Sequence, residues 1–160
     1  MFTWSDTIKK FPTIFKPVLK KYNLKYKIIS EREVIFYGNG YVIAGVLERE
    51  GFSISYLRRK DENTYYNYMI DTYFAIKIDD QDRDDVRVTN EKNKWVRKMI
   101  YTANSLLSKW DNMLSGNLDW IEDFKKSRWY YVLERPFQEC SSFDMNYKRA
   151  FDEMKSIKKI

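Results

Sequence analysis

An acidic segment near the middle of the chain holds the densest group of side chains that could do chemistry. Residues 78–91 read IDDQDRDDVRVTNE. Carboxylates at this spacing can bind a cation, form a solvated loop or attract a basic protein surface. All three interpretations are open, and we take the last as the working prediction. The predicted contact with a protein partner consists of the aspartates Asp79, Asp80, Asp82, Asp84 and Asp85.

Part of this segment resembles the calcium-binding loop of EF-hand proteins. Asp80, Asp82 and Asp84 fall at the first, third and fifth positions of such a loop, and Glu91 falls at the twelfth. The sixth position needs a glycine for its sharp turn, but it is Asp85 here. The eighth position is also an arginine instead of an aliphatic residue. A calcium site is therefore kept as an alternative, and we predict no cofactor.

The chain contains no histidine and a single cysteine, Cys140. Without histidine it cannot build a Ser-His-Asp site, a Cys-His site or the usual zinc sites. No recognised motif gathers carboxylates, lysines and tyrosines into another catalytic site, so we predict that the protein is not an enzyme. A lone cysteine excludes an intrachain disulfide, which is typical of the cytoplasm. We expect Cys140 to be a passive, half-buried thiol and the protein to be cytoplasmic.

Basic and aromatic side chains support a different hypothesis, namely nucleic-acid binding. The net charge of +6 divides into +7 for residues 1–60, −5 for residues 61–90 and +4 for residues 91–160. Arginine and aromatic residues at 128–131, RWYY, could stack on bases, although they are also common at protein interfaces. The predicted nucleic-acid contacts are the basic residues Lys16, Lys20, Lys21, Arg58, Arg59 and Lys60.

Residues 26–58 carry a continuous strand pattern and predict a four-strand antiparallel meander. Asn39-Gly40 lies between two apolar runs and is the strongest short signal for a hairpin turn. Residues 41–47 are apolar at nearly every position, which favours a central strand buried on both faces. In residues 52–56, aromatic and aliphatic side chains alternate with serines, so this strand should be half exposed.

Apolar residues at helical spacing predict helices on both sides of this meander, which gives a single α+β domain over residues 1–160. We expect N-terminal and C-terminal helices to pack on the sheet. The segment RWYYVL, residues 128–133, is compatible with helix or strand, and we favour helix. The predicted helices cover residues 5–11, 13–22, 63–77 and 90–114 with Asn90 as the N-cap, then a short helix capped by Asn117 and a last helix from about Ser142.

The order of these elements resembles the small immunity proteins that bacteria make against polymorphic or contact-dependent toxins. The resemblance covers an N-terminal helix, a meander ending GFSISYLRR, an acidic connection and a helical region containing MLSGNLDWIEDFKKS. It implies a non-enzymatic protein that binds a toxin domain and blocks its active site. No run is apolar enough for a membrane span, so we expect no membrane association. We also expect a monomer or a weak homodimer.

Overall fold

The computed structural model describes residues 1–158, with side chains for residues 1–155, and has an α+β fold built on an open antiparallel sheet. Each strand pairs with the strands before and after it in the sequence. The predicted fold class is confirmed, but the prediction of four strands was too low. Six strands form the sheet: β1 (Lys25–Ile28), β2 (Glu33–Gly38), β3 (Tyr41–Glu48), β4 (Gly51–Arg59), β5 (Thr64–Tyr68) and β6 (Val132–Pro136).

The predicted hairpin turn at Asn39-Gly40 joins β2 to β3. Both residues have positive φ, 51° and 90°, as a tight turn of this kind requires. The side-chain amide of Asn39 donates to the backbone carbonyl of Leu114 at 2.8 Å, and the hydroxyl of Tyr41 donates to the same carbonyl at 2.7 Å. The turn is therefore attached to the helical layer, and β3 is buried along most of its length as predicted.

The two strands missed by the sequence analysis lie where helices were expected. Residues 63–77 do not form one helix; β5 occupies the first part, and a short helix, Asp71–Ala75, occupies the second. Residues 128–133 are not helical either, because β6 begins at Val132 and pairs with β5 in antiparallel register. Over five residues, a strand that alternates tyrosines and a helix that repeats them every three or four residues look alike.

Within residues 1–158 the remaining regular structure is helical. Thr3 caps the first helix by accepting a hydrogen bond from the backbone N–H of Asp6. The helices are α1 (Trp4–Ile8), α2 (Phe11–Ile14), α3 (Lys16–Lys21), α4 (Asp71–Ala75), α5 (Asp80–Arg83), α6 (Val86–Asn90), α7 (Lys94–Lys109), α8 (Asp111–Leu114), α9 (Trp120–Lys126) and α10 (Ser142–Lys158). None of them is long and apolar enough to cross a membrane.

Helix α7 was predicted as part of a longer helix over residues 90–114. Its N-cap is Asn93 instead of Asn90: the Asn93 side chain accepts from the N–H groups of Trp95 and Val96 at 2.9 and 3.3 Å. The helix ends at Lys109, and α8 follows separately. The apolar stripe itself was predicted correctly, because the side chains of Val96, Ile100 and Ala103 are buried.

The sheet has an apolar cluster on each face. The larger cluster packs α1–α4 and α6–α9 against one face of the central strands. The smaller cluster packs α10 against the other face, where Phe151 belongs to the same apolar cluster as Ile35 and Leu57. Two tyrosines also fix α10 to this face, since the Tyr65 hydroxyl donates to Asp144 and the Tyr37 hydroxyl donates to Glu153, each at 2.7 Å.

Candidate functional site

The acidic segment forms a structured cap on α5. Asp79 accepts a hydrogen bond from the backbone N–H of Asp82, and the carboxylate of Asp82 accepts one from the backbone N–H of Asp79, both at 3.1 Å. This reciprocal pair is a capping box. Asp82 is 3% exposed, so one predicted contact residue lies inside the molecule.

Helix α7 supplies the countercharge for this cap. The ammonium group of Lys109 lies 2.6 Å from the carboxylate of Asp82 and 3.0 Å from that of Asp79. The hydroxyl of Ser108 donates to Asp82 at 3.2 Å. Hydrogen bonding to Lys109 holds the pKa of Asp79 below its usual value. Burial would lower the pKa of Lys109, but its hydrogen bonds to Asp82 and Asp79 outweigh burial and raise it.

A second internal contact engages Asp85, the N-cap of α6. Its carboxylate faces Arg87, whose Nη2 lies 2.7 Å from Oδ2 and whose Nε lies 3.1 Å from both oxygens. The side-chain hydrogen bond from Arg87 lowers the pKa of Asp85 to about 2. Asn104 of α7 also donates to Asp85 at 3.3 Å. The carboxylate is therefore bound within the protein rather than offered to a partner.

Asp80 and Asp84 are the exposed members of the predicted acidic contact. The side chain of Asp80 is 96% exposed and lies 3.9 Å from Arg83, which is a weak surface pair. Asp84 is also exposed. The sequence predicted one acidic surface of five aspartates, whereas three of the five stabilise helix ends. Protein contact through this segment stays a prediction that depends on Asp80 and Asp84.

The four residues considered for calcium are not assembled into a metal site. Within the described part of the chain, no group of three or more His, Cys, Asp or Glu side chains could hold a metal ion. Asp82 is engaged by Lys109, and Glu91 accepts a hydrogen bond from the backbone N–H of Asn93 at 3.1 Å. Helix α5 also occupies residues that a calcium loop would need as a turn.

The basic residues predicted to bind nucleic acid separate into three environments. Lys16, Lys20 and Lys21 lie exposed on α3. Arg59 is 15% exposed and pairs with Asp152 at 2.6 Å and Glu62 at 3.5 Å. Lys60 forms an ion pair with Glu134 on β6. Arg58 points to the opposite face of β4 from Arg59, because successive strand residues alternate.

Arg58 lies in a surface groove of about 520 Å³ between the β4–β6 edge of the sheet and α9. Its guanidinium contacts the hydroxyl of Tyr68 at 3.4 Å. Antiparallel pairing places Tyr66 opposite both Arg58 and Glu134. The sheet edge therefore determines which side chains meet in this groove. The lining residues are Arg58, Tyr66, Tyr68, Leu118, Ile121, Glu122, Lys125, Tyr130 and Val132.

The rim of the groove exposes large apolar and aromatic side chains. Leu118 is 41% exposed and Tyr130 is 42% exposed, and the neighbouring Tyr131 is 56% exposed. The inner side is rigid: Tyr68 is buried and contacts the rings of Tyr56 and Trp120 with centroid distances of 5.8 and 5.9 Å. The groove thus combines a fixed aromatic floor, an exposed apolar rim and a guanidinium.

A second polar cluster lies in a cleft of about 120 Å³. The hydroxyl of Tyr73 donates to Asp123 and accepts from Lys77 at 3.1 Å. Burial, followed by the hydrogen bond to Asp123, raises the pKa of Tyr73. A raised pKa keeps the phenol protonated near neutral pH, so this tyrosine is not activated as a base. The cluster joins α4 to α9.

Sequence analysis selected some groove residues and missed others. Arg58 was predicted as a basic contact to nucleic acid, and Tyr130 belonged to the segment predicted either to stack on bases or to lie at a protein interface. Tyr66 was assigned to the core of a helix, and Leu118 and Val132 carried no signal of their own. The missing information was the pairing of β5 with β6. The expected half-burial of Cys140 was also wrong, because this thiol is exposed.

Comparison with known proteins found no matching family model, no match among curated proteins and none among solved structures.

Proposed function

We propose that the protein is a non-enzymatic module that binds another protein through the groove beside β6. The observation that supports this proposal most directly is the combination of Arg58, Tyr66 and Tyr130 with the exposed Leu118 around one concave surface. Arginine and tyrosine are enriched among the residues that dominate binding energy at protein interfaces. A rigid floor lowers the conformational entropy lost on binding, because the ring of Tyr68 is already held in place.

The specific role that we propose is that of an immunity protein, which binds a bacterial toxin domain in the cytoplasm and neutralises it. The order of elements supports this role through its resemblance to such proteins. The absence of histidine also supports it, because the common hydrolytic mechanisms need that residue. Asp80 and Asp84 offer a second, smaller contact for a basic part of the same partner.

Nucleic-acid binding is the alternative, and two observations count against it. Two of the basic residues that it needs, Arg59 and Lys60, are paired with carboxylates. The ring of Tyr68 is buried and packs against the rings of Tyr56 and Trp120, so most of it is inaccessible to a base. Lys16, Lys20 and Lys21 are exposed and keep the hypothesis testable.

A quantitative capture experiment tests the proposed interface. The wild-type protein, a Leu118→Ser/Tyr130→Ser variant and a Lys16→Gln/Lys20→Gln control are immobilised and exposed to lysate of the source cell. We expect at least one protein that the wild type and the control retain equally and that the groove variant loses. Circular dichroism checks that all three are folded. Retention of the same proteins by the wild type and both variants would contradict the groove assignment.

A mobility-shift assay with a single-stranded oligonucleotide tests the alternative. Nucleic-acid binding predicts a shift that weakens steeply with added salt and is lost in the Lys16→Gln/Lys20→Gln variant. We expect no shift at physiological salt. A salt-dependent shift would favour the alternative over the protein interface.

A further inference from the structure

Arg58 is a partly buried cation without an anionic partner in the described part of the chain. Its recorded polar contact is the neutral hydroxyl of Tyr68 at 3.4 Å, which is long for a hydrogen bond. Removing a guanidinium from water is costly unless an opposite charge compensates it. Its neighbours in the sequence follow this rule, because Arg59 pairs with Asp152 and Lys60 pairs with Glu134. Arg58 alone of these three lacks a carboxylate.

The other charges around the groove do not supply this partner. Glu122 lies 3.4 Å from Lys125, and both side chains are at least half exposed. Glu134 is engaged by Lys60. The residues that line the groove therefore carry two cations and one anion. The uncompensated positive charge lies beside Tyr68, on the inner side of the groove.

We propose that the groove receives an acidic side chain of the protein partner, with its carboxylate on Arg58 and an adjacent apolar or aromatic side chain against Tyr66, Leu118 and Tyr130. This inference depends on the proposed function and specifies the chemistry of the partner. An arginine can hold a carboxylate through two parallel N–H donors, which fixes orientation as well as energy. The apolar rim excludes water around this pair and strengthens it.

A single carboxylate fits this surface better than a phosphate chain does. Glu122 lines the groove from α9, and Glu134 lies on β6 opposite Tyr66, which is itself opposite Arg58. A nucleic-acid backbone carries a charge at every nucleotide and would meet both of them, whereas one acidic side chain between apolar neighbours would not. Charge complementarity therefore favours a discrete acidic site on a protein.

Binding of short peptides to the full chain tests this inference by NMR. The probe is acetyl-Phe-Asp-Leu-amide, and the neutral control is acetyl-Phe-Asn-Leu-amide, added at millimolar concentration to 15N-labelled protein. We expect the acidic peptide to shift the amide signals of Tyr66, Leu118 and Val132 and to bind about tenfold more tightly than the neutral one, as one charge-assisted pair predicts. The Arg58→Gln variant should lose this preference, and the Lys20→Gln variant should keep it.

Three outcomes would overturn the proposal. The first is equal affinity of wild type for the two peptides, and the second is the absence of shifts at the groove with either peptide. The third is a shift of the same signals by single-stranded oligothymidylate with none by the peptides, which would assign the groove to a phosphate chain. These failures are distinct from failure of the proposed function. If the Leu118→Ser/Tyr130→Ser variant loses a captured protein while the peptide experiment fails, the groove is still a protein interface, but one without an acidic contact at Arg58.

Discussion

Asp82 lies in an acidic stretch of sequence that predicts an exposed side chain, yet in the structure this side chain is buried. Five aspartates in close succession predict a solvated loop, because each carboxylate alone prefers water. Asp82 instead caps α5, accepts from Ser108 and pairs with Lys109. Its environment is supplied by α7, more than twenty residues later in the sequence, so no local pattern could have distinguished it from Asp80 or Asp84.

Replacing Asp82 should therefore lower the stability of the fold, whereas replacing the exposed Asp84 should leave it almost unchanged. We expect Asp82→Ala to lower the free energy of unfolding by about 2 kcal/mol, because Lys109 and two backbone or hydroxyl donors lose their acceptor. Asp84→Ala should change it by less than about 0.5 kcal/mol. Urea denaturation followed by circular dichroism measures both values. Equal effects would show that the capping box does not stabilise the fold.

The pairing of Asp85 with Arg87 predicts a contribution to stability that depends on pH. The pKa of Asp85 is about 2 in the folded protein and 3.8 in its ordinary state. A carboxyl group whose pKa is lower in the folded state than in the unfolded state stabilises the fold at pH values above the unfolded-state pKa. This contribution disappears as the pH falls through the folded-state pKa. We expect the free energy of unfolding of the wild type to exceed that of Asp85→Asn by about 1 kcal/mol near neutral pH, after allowance for partial exposure of the carboxylate. The difference should shrink from about pH 5 to about pH 2.

Urea titrations at several pH values measure this difference directly. Asparagine can still accept the N-cap hydrogen bond from Arg87, so the substitution removes mainly the charge. Asp80→Asn is the matched control, because the side chain of Asp80 is exposed. The free energy of unfolding of this variant should equal that of the wild type at every pH. A gap between wild type and Asp85→Asn that stays constant down to pH 2 would contradict the assigned role of the charge.

At the scale of elements, local signals predicted the hairpins and missed the sheet edge. Asn39-Gly40 defines its turn through the backbone preferences of two residues, which the sequence shows directly. Strand β6 has no such signal, since its pairing with β5 joins residues more than sixty positions apart. The groove depends on this pairing, and sequence analysis therefore found Arg58 and Tyr130 but could not place them on one surface.

Helix α10 is the element whose packing can be tested with a matched pair of phenylalanines. Phe151 is 4% exposed in the cluster on the second face of the sheet, and Phe143 on the same helix is 37% exposed. We expect Phe151→Ala to lower the free energy of unfolding by about 3 kcal/mol, because it removes a buried ring and leaves a cavity. Phe143→Ala should cost less than about 1 kcal/mol.

Thermal or urea unfolding of the two variants gives these values. Similar losses in both would show that α10 is held mainly by its polar contacts, such as those of Tyr65 with Asp144, rather than by the apolar cluster.

Considered as a whole, the molecule has one sheet whose two faces are covered by separate sets of helices. The two clusters share strands, because neighbouring residues such as Val34 and Ile35 on β2 point to opposite faces. Loss of the helices from one face would expose the apolar side chains on that face, and these belong to the same strands that carry the cluster on the other face. This arrangement favours cooperative unfolding.

Two probes can test this cooperativity because they report on different faces. All five tryptophans belong to the larger cluster or pack against it, so their fluorescence follows the first face. Hydrogen exchange of peptides from α10, measured by mass spectrometry, follows the second. We expect both signals to change at the same urea concentration. Earlier exchange in α10, before any change in tryptophan emission, would show that the second face opens independently.

The position of α10 along the chain has a further consequence for biosynthesis. This helix follows every strand that it covers, so a ribosome completes the sheet before it makes the cover for the second face. During that interval, the α10 side chains that complete the apolar cluster around Val42 and Leu57 are missing. Nascent chains with uncovered sheets are prone to aggregate or to require chaperones. Yield of the folded protein should therefore depend on how quickly translation proceeds from β6 to the end of α10.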